Sequence, residues 1–371
     1  MLTTAAVLER QPVERPYTQT RPLDVRQIEL EPPGEGEVLV EVASAGLCHS
    51  DLSVINGSLP RPMPIVLGHE ASGIVQEIGP GVRGVKRGDH VVLSWVPSCH
   101  ACRFCLEGRP NLCETGAAAN AKGTLMTGAV RLKGAYHLLG VSGFARHAIV
   151  AQESLITIEP DFPLDLAALF GCAVVTGVGA VINTARVEPG RSVAVFGAGG
   201  VGLSVVMGAR LAGADPIVVL DLLESKRRLA LDLGATHVID ASRDDAVKEL
   251  QDLTHGGADY AFDAVGSAKL LESAFRATRR GGTTVAVGLA PGDERLSISP
   301  VVLVLHERTL KGSYMGSAVP AIDIPRLMRL YRAGKLPVDK LVSRTLPLDQ
   351  INDGFEALAT GEVARQLIRF G

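Results

Sequence analysis

The sequence predicts an α/β protein of two domains: a compact, mostly antiparallel β unit and a doubly wound parallel sheet covered by helices. Three observations carry that expectation. The chain has 371 residues, more than one ordinary core accommodates. From about residue 35 to 95, short β-rich runs such as EVLVEVASAG, ASGIVQEIG and GDHVVLSWV alternate with glycine turns. From about residue 190 to 290, apolar runs alternate with amphipathic helical stretches, the rhythm of parallel βαβ units. Composition agrees: 46% hydrophobic and 21% charged residues leave no bias toward disorder, and the 41 glycines fall at apparent strand ends.

Taken in order, the start MLTTAAVLERQ has neither a basic opening nor an apolar run long enough for a signal peptide. The β unit follows, and the loop CHACRFCLEGRPNLC hangs off its end. Leu166 to Ala185 carries no charge over twenty residues, about a membrane span. Its three glycines, two threonines and asparagine, with no basic flank, favour a buried helix and no membrane association. The parallel unit reads SVAVFGAGG (strand), VGLSVVMGARLAG (helix), PIVVLD (strand), and continues to TTVAVGL. The tail from about 315 is helical and ends in a strand at QLIRFG. No internal repeat or low-complexity tract interrupts it. A formal net charge of −3 gives no electrostatic footprint for nucleic acid or anionic lipid.

Gly197, Gly199 and Gly202 form G-x-G-x-x-G between the run VAVF and a helical pattern. The first glycine permits the tight turn, the second lets backbone approach a pyrophosphate, and the third lets helix and strand pack closely. A bare glycine turn would be weak evidence, but here strand and helix flank it. Asp221 closes the next strand, 24 residues after Gly197. A carboxylate there accepts from both ribose hydroxyls and repels a 2′-phosphate, so NAD is expected over NADP. Lys226 is a candidate ribose contact, though it reads equally as a solvated lysine opening a helix.

Cys99, Cys102, Cys105 and Cys113 are four of six cysteines, packed into fifteen residues. A cytoplasmic chain, the expectation here, keeps thiols reduced, which argues against a disulfide knot. Two-residue gaps let thiolates converge on one ion, and four complete the tetrahedron of a structural zinc. A redox C-x-x-C lacks its thioredoxin-like context, and His100 reads as a solvated bystander. Cys48 in GLCHSD, His69 in GHEASG and Cys172 in FGCAVVTG stand far apart; two thiolates and one imidazole are the residue types of a zinc site with one open position. Taken singly, each cysteine reads more strongly as a small buried hydrophobe. Spacing does not join them.

GLCHSDL, GHEASGIVQEIGPGV, the four-cysteine loop, GCAVVTGVGAVINTA and VFGAGGVGL, in that order, resemble the zinc-dependent alcohol dehydrogenases of the medium-chain dehydrogenase family. The likeness extends nearly end to end, through LKGSYMG and RQLIRFG. It implies a GroES-like catalytic domain over 1–173 that carries the structural zinc loop. An NAD-binding Rossmann domain over 174–314 and a return to the catalytic domain over 315–371 follow. It also implies Cys48, His69 and Cys172 as catalytic zinc ligands, with Glu70 an acid able to approach the metal. Asp51 would orient the ligand histidine. Ser50 would take the alcohol proton. His49 and Arg365 would contact the cofactor pyrophosphate, while Thr176 and Val201 line the nicotinamide pocket.

The implied reaction is reversible oxidation of a primary aliphatic, benzylic or allylic alcohol to its aldehyde with NAD. Leu59, Trp95, Leu112, Phe144, Tyr314 and Met315 fall at substrate-channel positions, the first four reading almost equally as core. The chain departs from well-known animal members at Ser53, where their proton relay ends on histidine. It also has Leu59 and Ala117 where thiol-adduct formaldehyde dehydrogenases carry an acid and an arginine. That dehydrogenase is the nearest rival reading. A zinc-free double-bond reductase would not need Cys48, His69 and Cys172, and a zinc-ribbon nucleic-acid module leaves the dinucleotide fingerprint unexplained. The long segment between Cys113 and Phe144 resembles dimeric members, so a homo-oligomer, and a dimer first, is expected.

Overall fold

The computed structural model describes residues 1–371. The chain divides into two compact units. The first comprises Met1–Cys172, Val319–Met328 and Val342–Gly371, and the second Ala173–Ala318 and Arg329–Leu341.

The first unit is built on a seven-stranded sheet. Its order is Val342–Leu346, Arg365–Arg369, Glu37–Gly46, Glu70–Ile78, His90–Leu93, Leu155–Ile158, with His147–Ala151 also paired to Glu37–Gly46. All its pairings are antiparallel except that of the two tail strands. A four-stranded sheet (Leu23–Glu29, Leu2–Leu8, Ile65–Val66, Tyr136–His137) completes the unit. The central strand Glu37–Gly46 is buried at every position except Glu41 and Ala43, which are half-exposed. One core cluster, including Val7, Leu30, Val66, Leu132 and Ile149, gathers side chains from these strands and the loops between them.

Two features depart from the sequence reading. The first strand, LTTAAVL, is buried almost throughout and lacks polar–apolar alternation. The tail also holds an extra strand, Val342–Leu346, whose polar VSRT run carries no apolar period. Its mostly exposed side chains show that backbone pairing, rather than burial, holds it.

The charge-free run 166–185, expected as one buried helix, is buried but broken. Helix Leu164–Phe170 stops at Gly171–Cys172, and helical turns resume at Ala173–Gly179 and Ala180–Ala185. A Cβ on Gly171 would lie 2.7 Å from Leu93 O, so glycine allows the helix end to touch a strand backbone. No single helix is long and apolar enough to cross a membrane.

The second unit holds a six-stranded parallel sheet ordered His237–Asp240, Ile217–Asp221, Val193–Phe196, Ala258–Asp263, Thr278–Ala286, Thr309–Gly312. Numbering these strands by sequence gives 3-2-1-4-5-6, the doubly wound Rossmann order. The innermost strand, VAVF, is buried at all four positions, as expected where helices cover both faces. The strand order reverses between Val193–Phe196 and Ala258–Asp263, and a crevice at that switch point is where such sheets bind dinucleotides.

Candidate functional site

In the first unit, Cys48 follows strand Glu37–Gly46 and caps the short helix His49–Ile55 with extended backbone. That helix turns Asp51 inward, where it is wholly buried. Asp51 Oδ1 accepts the Gly68 N–H at 2.9 Å, and Oδ2 lies 3.1 Å from His69 Nδ1. The histidine is thereby oriented with Nε2 left for an ion. Gly68 has φ +92, and a Cβ there would collide with Phe144, so this approach requires glycine.

Strand register brings Glu70 alongside. Gly46 pairs with Glu70 across the antiparallel ladder, and a Cβ on Gly46 would lie 2.4 Å from Glu70 Oε2. The missing side chain is the space the carboxyl occupies. Behind it, Arg365 Nη1 lies 3.1 Å from Glu70 Oε1 and donates to Leu47 O at 3.1 Å. Cys172 arrives from the helix break. One donor atom each from Cys48, His69, Glu70 and Cys172 lies within 4.8 Å of all the others, and all four residues are buried.

The electrostatics are those of a site awaiting a cation. Hydrogen bonding from Cys172, against the cost of burial and with Arg365 and His69 nearby, holds the Cys48 thiol well below its usual range. The same hydrogen bond, together with burial, pushes Cys172 up. Burial pulls His69 down, but Asp51 and the Cys48 thiolate outweigh it and hold the imidazole above its ordinary value. Burial pushes Glu70 up to about 8, against the pull of Arg365. Two thiols, an imidazole and a carboxyl whose Oε2 has no hydrogen-bond partner form a donor set that fits zinc.

The four-cysteine loop makes a second cluster, again with donor atoms within 4.8 Å. Main-chain N–H groups point into it: Cys102 donates to Cys99 Sγ at 3.2 Å, Cys99 to Cys113 Sγ at 3.3 Å, and Gly116 to Cys113 Sγ at 3.4 Å. Hydrogen bonds from the Ala101 backbone and the Thr115 side chain hold Cys99 at about 6. Burial and the neighbouring thiols push Cys105 up to about 12. His100 stays outside the set.

In the second unit, Gly197 has φ +93, and a Cβ there would meet Val265 Cγ2 at 2.3 Å. A Cβ on Gly202 would lie 1.8 Å from Gly197 O, whereas nothing stands within 4 Å of one on Gly199. The turn is therefore bare where a pyrophosphate would lie, above the start of helix Gly200–Leu211. Asp221 ends its strand with Oδ2 accepting the Ala198 N–H at 2.7 Å and Oδ1 the Leu223 N–H at 2.9 Å. This cradle fits a dinucleotide. Helix Ala173–Gly179 packs closely enough that a Cβ on Gly177 would lie 2.4 Å from Val201 O, and Thr176 is buried beside it. Lys226 is half-exposed.

The remaining candidates are scattered. Ser50 is half-buried, its Oγ 3.9 Å from Cys48 Sγ, and His49 is exposed. Trp95 is buried with its ring edge-on to His69 at a centroid distance of 6.2 Å. Phe144 is fully buried against Phe355, and Leu59 and Leu112 are half-buried. In the second unit, Met315 is buried and Tyr314 exposed. Sequence reasoning did not find Gly46 as the cradle of Glu70, nor the contact of Arg365 with that carboxyl. Both depend on pairing between distant strands and leave no local signal.

Known proteins agree with this architecture. Residues 34–160 match the alcohol dehydrogenase GroES-like domain, and residues 200–333 match the zinc-binding dehydrogenase domain. The chain belongs to the zinc-dependent medium-chain alcohol dehydrogenase family. An NDMA-dependent alcohol dehydrogenase from Amycolatopsis methanolica is 40% identical, the match covering 99% of each chain. An S-(hydroxymethyl)glutathione dehydrogenase from Paracoccus denitrificans is 39% identical over 94% of this chain and 97% of its own. The crystal structure of benzyl alcohol dehydrogenase from Acinetobacter calcoaceticus superposes with a TM-score of 0.93 at 34% identity, covering 100% of both chains.

Proposed function

We propose that this protein oxidises a primary aliphatic, benzylic or allylic alcohol to its aldehyde, reversibly, with NAD. The observation that carries the reading is the buried convergence of Cys48, His69, Glu70 and Cys172, with Asp51 behind the histidine. Cys48, His69 and Cys172 would hold one zinc ion and Cys99, Cys102, Cys105 and Cys113 a second. When bound, zinc supplies a Lewis acid for the alcohol oxygen and NAD supplies the hydride acceptor.

The chain's own residues do the rest. Asp51 fixes the imidazole so that its free nitrogen stays aimed at the ion. Glu70 would be the carboxyl able to approach a bound zinc, and Arg365 is the cation that holds it at rest. Ser50, beside Cys48, takes the alcohol proton on its hydroxyl oxygen and gives up its own toward the cofactor ribose. Ser53 has no group titrating near neutrality, so it cannot end the relay as a histidine would. Gly197, Gly199 and Gly202 cradle the pyrophosphate, and Thr176 and Val201 flank the nicotinamide. Asp221 selects NAD over NADP, with Lys226 at the ribose. Trp95 forms an apolar substrate wall beside His69, with Leu59, Leu112 and Phe144 as further candidates in the same unit; Tyr314 and Met315 are the candidates of the second unit.

We further infer a cytoplasmic homodimer. Six unbridged cysteines suit a reducing compartment, and the exposed Val301, Val304 and Leu305 suit burial against a second copy. The test of function is a panel of alcohols with NAD, followed by the near-ultraviolet absorbance of reduced nicotinamide. A thiol-adduct formaldehyde dehydrogenase is the second reading, favoured by the Paracoccus relative and opposed by Leu59 and Ala117. Turnover of formaldehyde that depends on added glutathione, with none for simple alcohols, would select it.

A further inference from the structure

A physical connection runs from the four-thiol loop to the imidazole of the other centre. Helix Glu114–Lys122 begins directly after Cys113, whose Sγ accepts the Gly116 N–H at 3.4 Å. A member of the thiol set is thus the cap of this helix. The buried face of the helix presents Gly116, Ala119 and Asn120. A Cβ on Gly116 would lie 2.3 Å from Pro97 O, so the helix backbone rests against the segment after Trp95. One turn later Asn120, 7% exposed, donates through Nδ2 to Trp95 O at 2.9 Å. The Trp95 indole stands at 89° to the His69 ring.

We infer that Asn120 is a positioning residue. It fixes the Trp95 main chain so that the indole braces His69 and forms the substrate-facing wall, and its helix couples that wall to the four-thiol loop. The role of the wall rests on the alcohol dehydrogenase reading above, whereas the placement of the indole does not. An amide in a rigid helix suits this task, because losing its donor leaves a buried carbonyl short of a partner and frees the segment around it.

The chain has one tryptophan, so intrinsic fluorescence reports Trp95 directly. In the zinc-loaded Asn120→Ala enzyme, the emission maximum should move to the red and acrylamide should quench it more strongly, with zinc content unchanged. With benzyl alcohol at saturating NAD, KM should rise about 5–10-fold while kcat stays within about 2-fold, the scale of one buried hydrogen bond. Should that variant not fold, Gly116→Ala pushes on Pro97 O from the same helix and should produce the same shifts. An exposed-face control, Ala118→Ser, should change neither. Unchanged quenching in a folded, zinc-replete variant overturns the inference. So does altered quenching with an unchanged KM, because the indole would then move without touching the substrate wall. Loss of folding in both variants overturns it too, by making the contact part of the core. A fluorescence response in an enzyme whose wild type oxidises no alcohol leaves the placement standing and removes the proposed function instead.

Discussion

Cys99, Cys102, Cys105 and Cys113 occupy fifteen residues near the surface, while Cys48, His69, Glu70 and Cys172 come from distant parts of the chain and are buried. In the loop, main-chain N–H groups aim at sulfur, and the donor set is four thiols with no place for anything else. In the buried set the donors are mixed, two thiols, an imidazole and a carboxyl, with Asp51 behind the histidine and Arg365 behind Glu70. One arrangement completes a fold and the other leaves chemistry unfinished. What separates them is the company the thiols keep.

The sharpest way to break this contrast is to remove one thiol from each. Cys172→Ser should abolish turnover and cost one zinc per chain with the fold retained, whereas Cys105→Ser should lower thermal stability, because a closed site contributes folding energy. Elemental analysis giving one zinc or none in fully active wild-type enzyme would falsify the two-centre reading. The next largest effect is expected at Ser50, next to Cys48. Ser50→Ala should reduce turnover by ~10²–10⁴, the scale of general acid–base catalysis, and Ser53→Ala should be mild. Near-normal turnover by Ser50→Ala, under conditions where chemistry limits the rate, would remove Ser50 from the proton path.

Asp221 lies outside both clusters. Its replacement by serine should leave zinc content alone and narrow the preference for NAD over NADP by about 10-fold, as expected for a polar contact of about 1–3 kcal/mol. Equal use of both cofactors by the wild type would contradict that role. The smallest effect is a pH slope of opposite sign at the two clusters in metal-stripped protein. Glu70 is raised from 4.5 to about 8, so the folded state holds an extra proton in that window and loses stability as pH rises through it. Cys99 is lowered from 9.0 to about 6, so its contribution grows as pH rises from 6 to 9 and is lost as pH falls through 6. Denaturant midpoints measured across pH should lose the first slope in Glu70→Gln and the second in Cys99→Ser. An identical pH profile in both variants would show that the clusters do not differ in this way.

The loop was legible in the sequence because its ligands are local: C-x-x-C-x-x-C with a fourth cysteine after seven intervening residues encodes its own geometry. The parallel sheet was equally legible, since VAVF, IVVLD and their neighbours are apolar runs bounded by glycine. The buried centre was not. Its ligands could be grouped only through resemblance, because the strand register that unites Gly46 with Glu70 has no local signature. The break at Gly171–Cys172 hid within a run whose composition reads as continuous helix. Asn120 gave no signal either, as a polar residue in ETGAAANAK reads as surface until the helix is seen against Trp95.

The ladder that sets Glu70 opposite Gly46 carries two irregularities, between Leu39 and Val40 and between Val42 and Ser44. Side chains alternate faces along a strand, so a slip of one residue would bring Ala71 opposite Gly46 and turn the carboxyl to the other side of the sheet. A chain mispaired there has lost the four-donor set. The buried donor set is thus a readout of strand pairing, whereas the four-thiol loop, whose donors are local, is not.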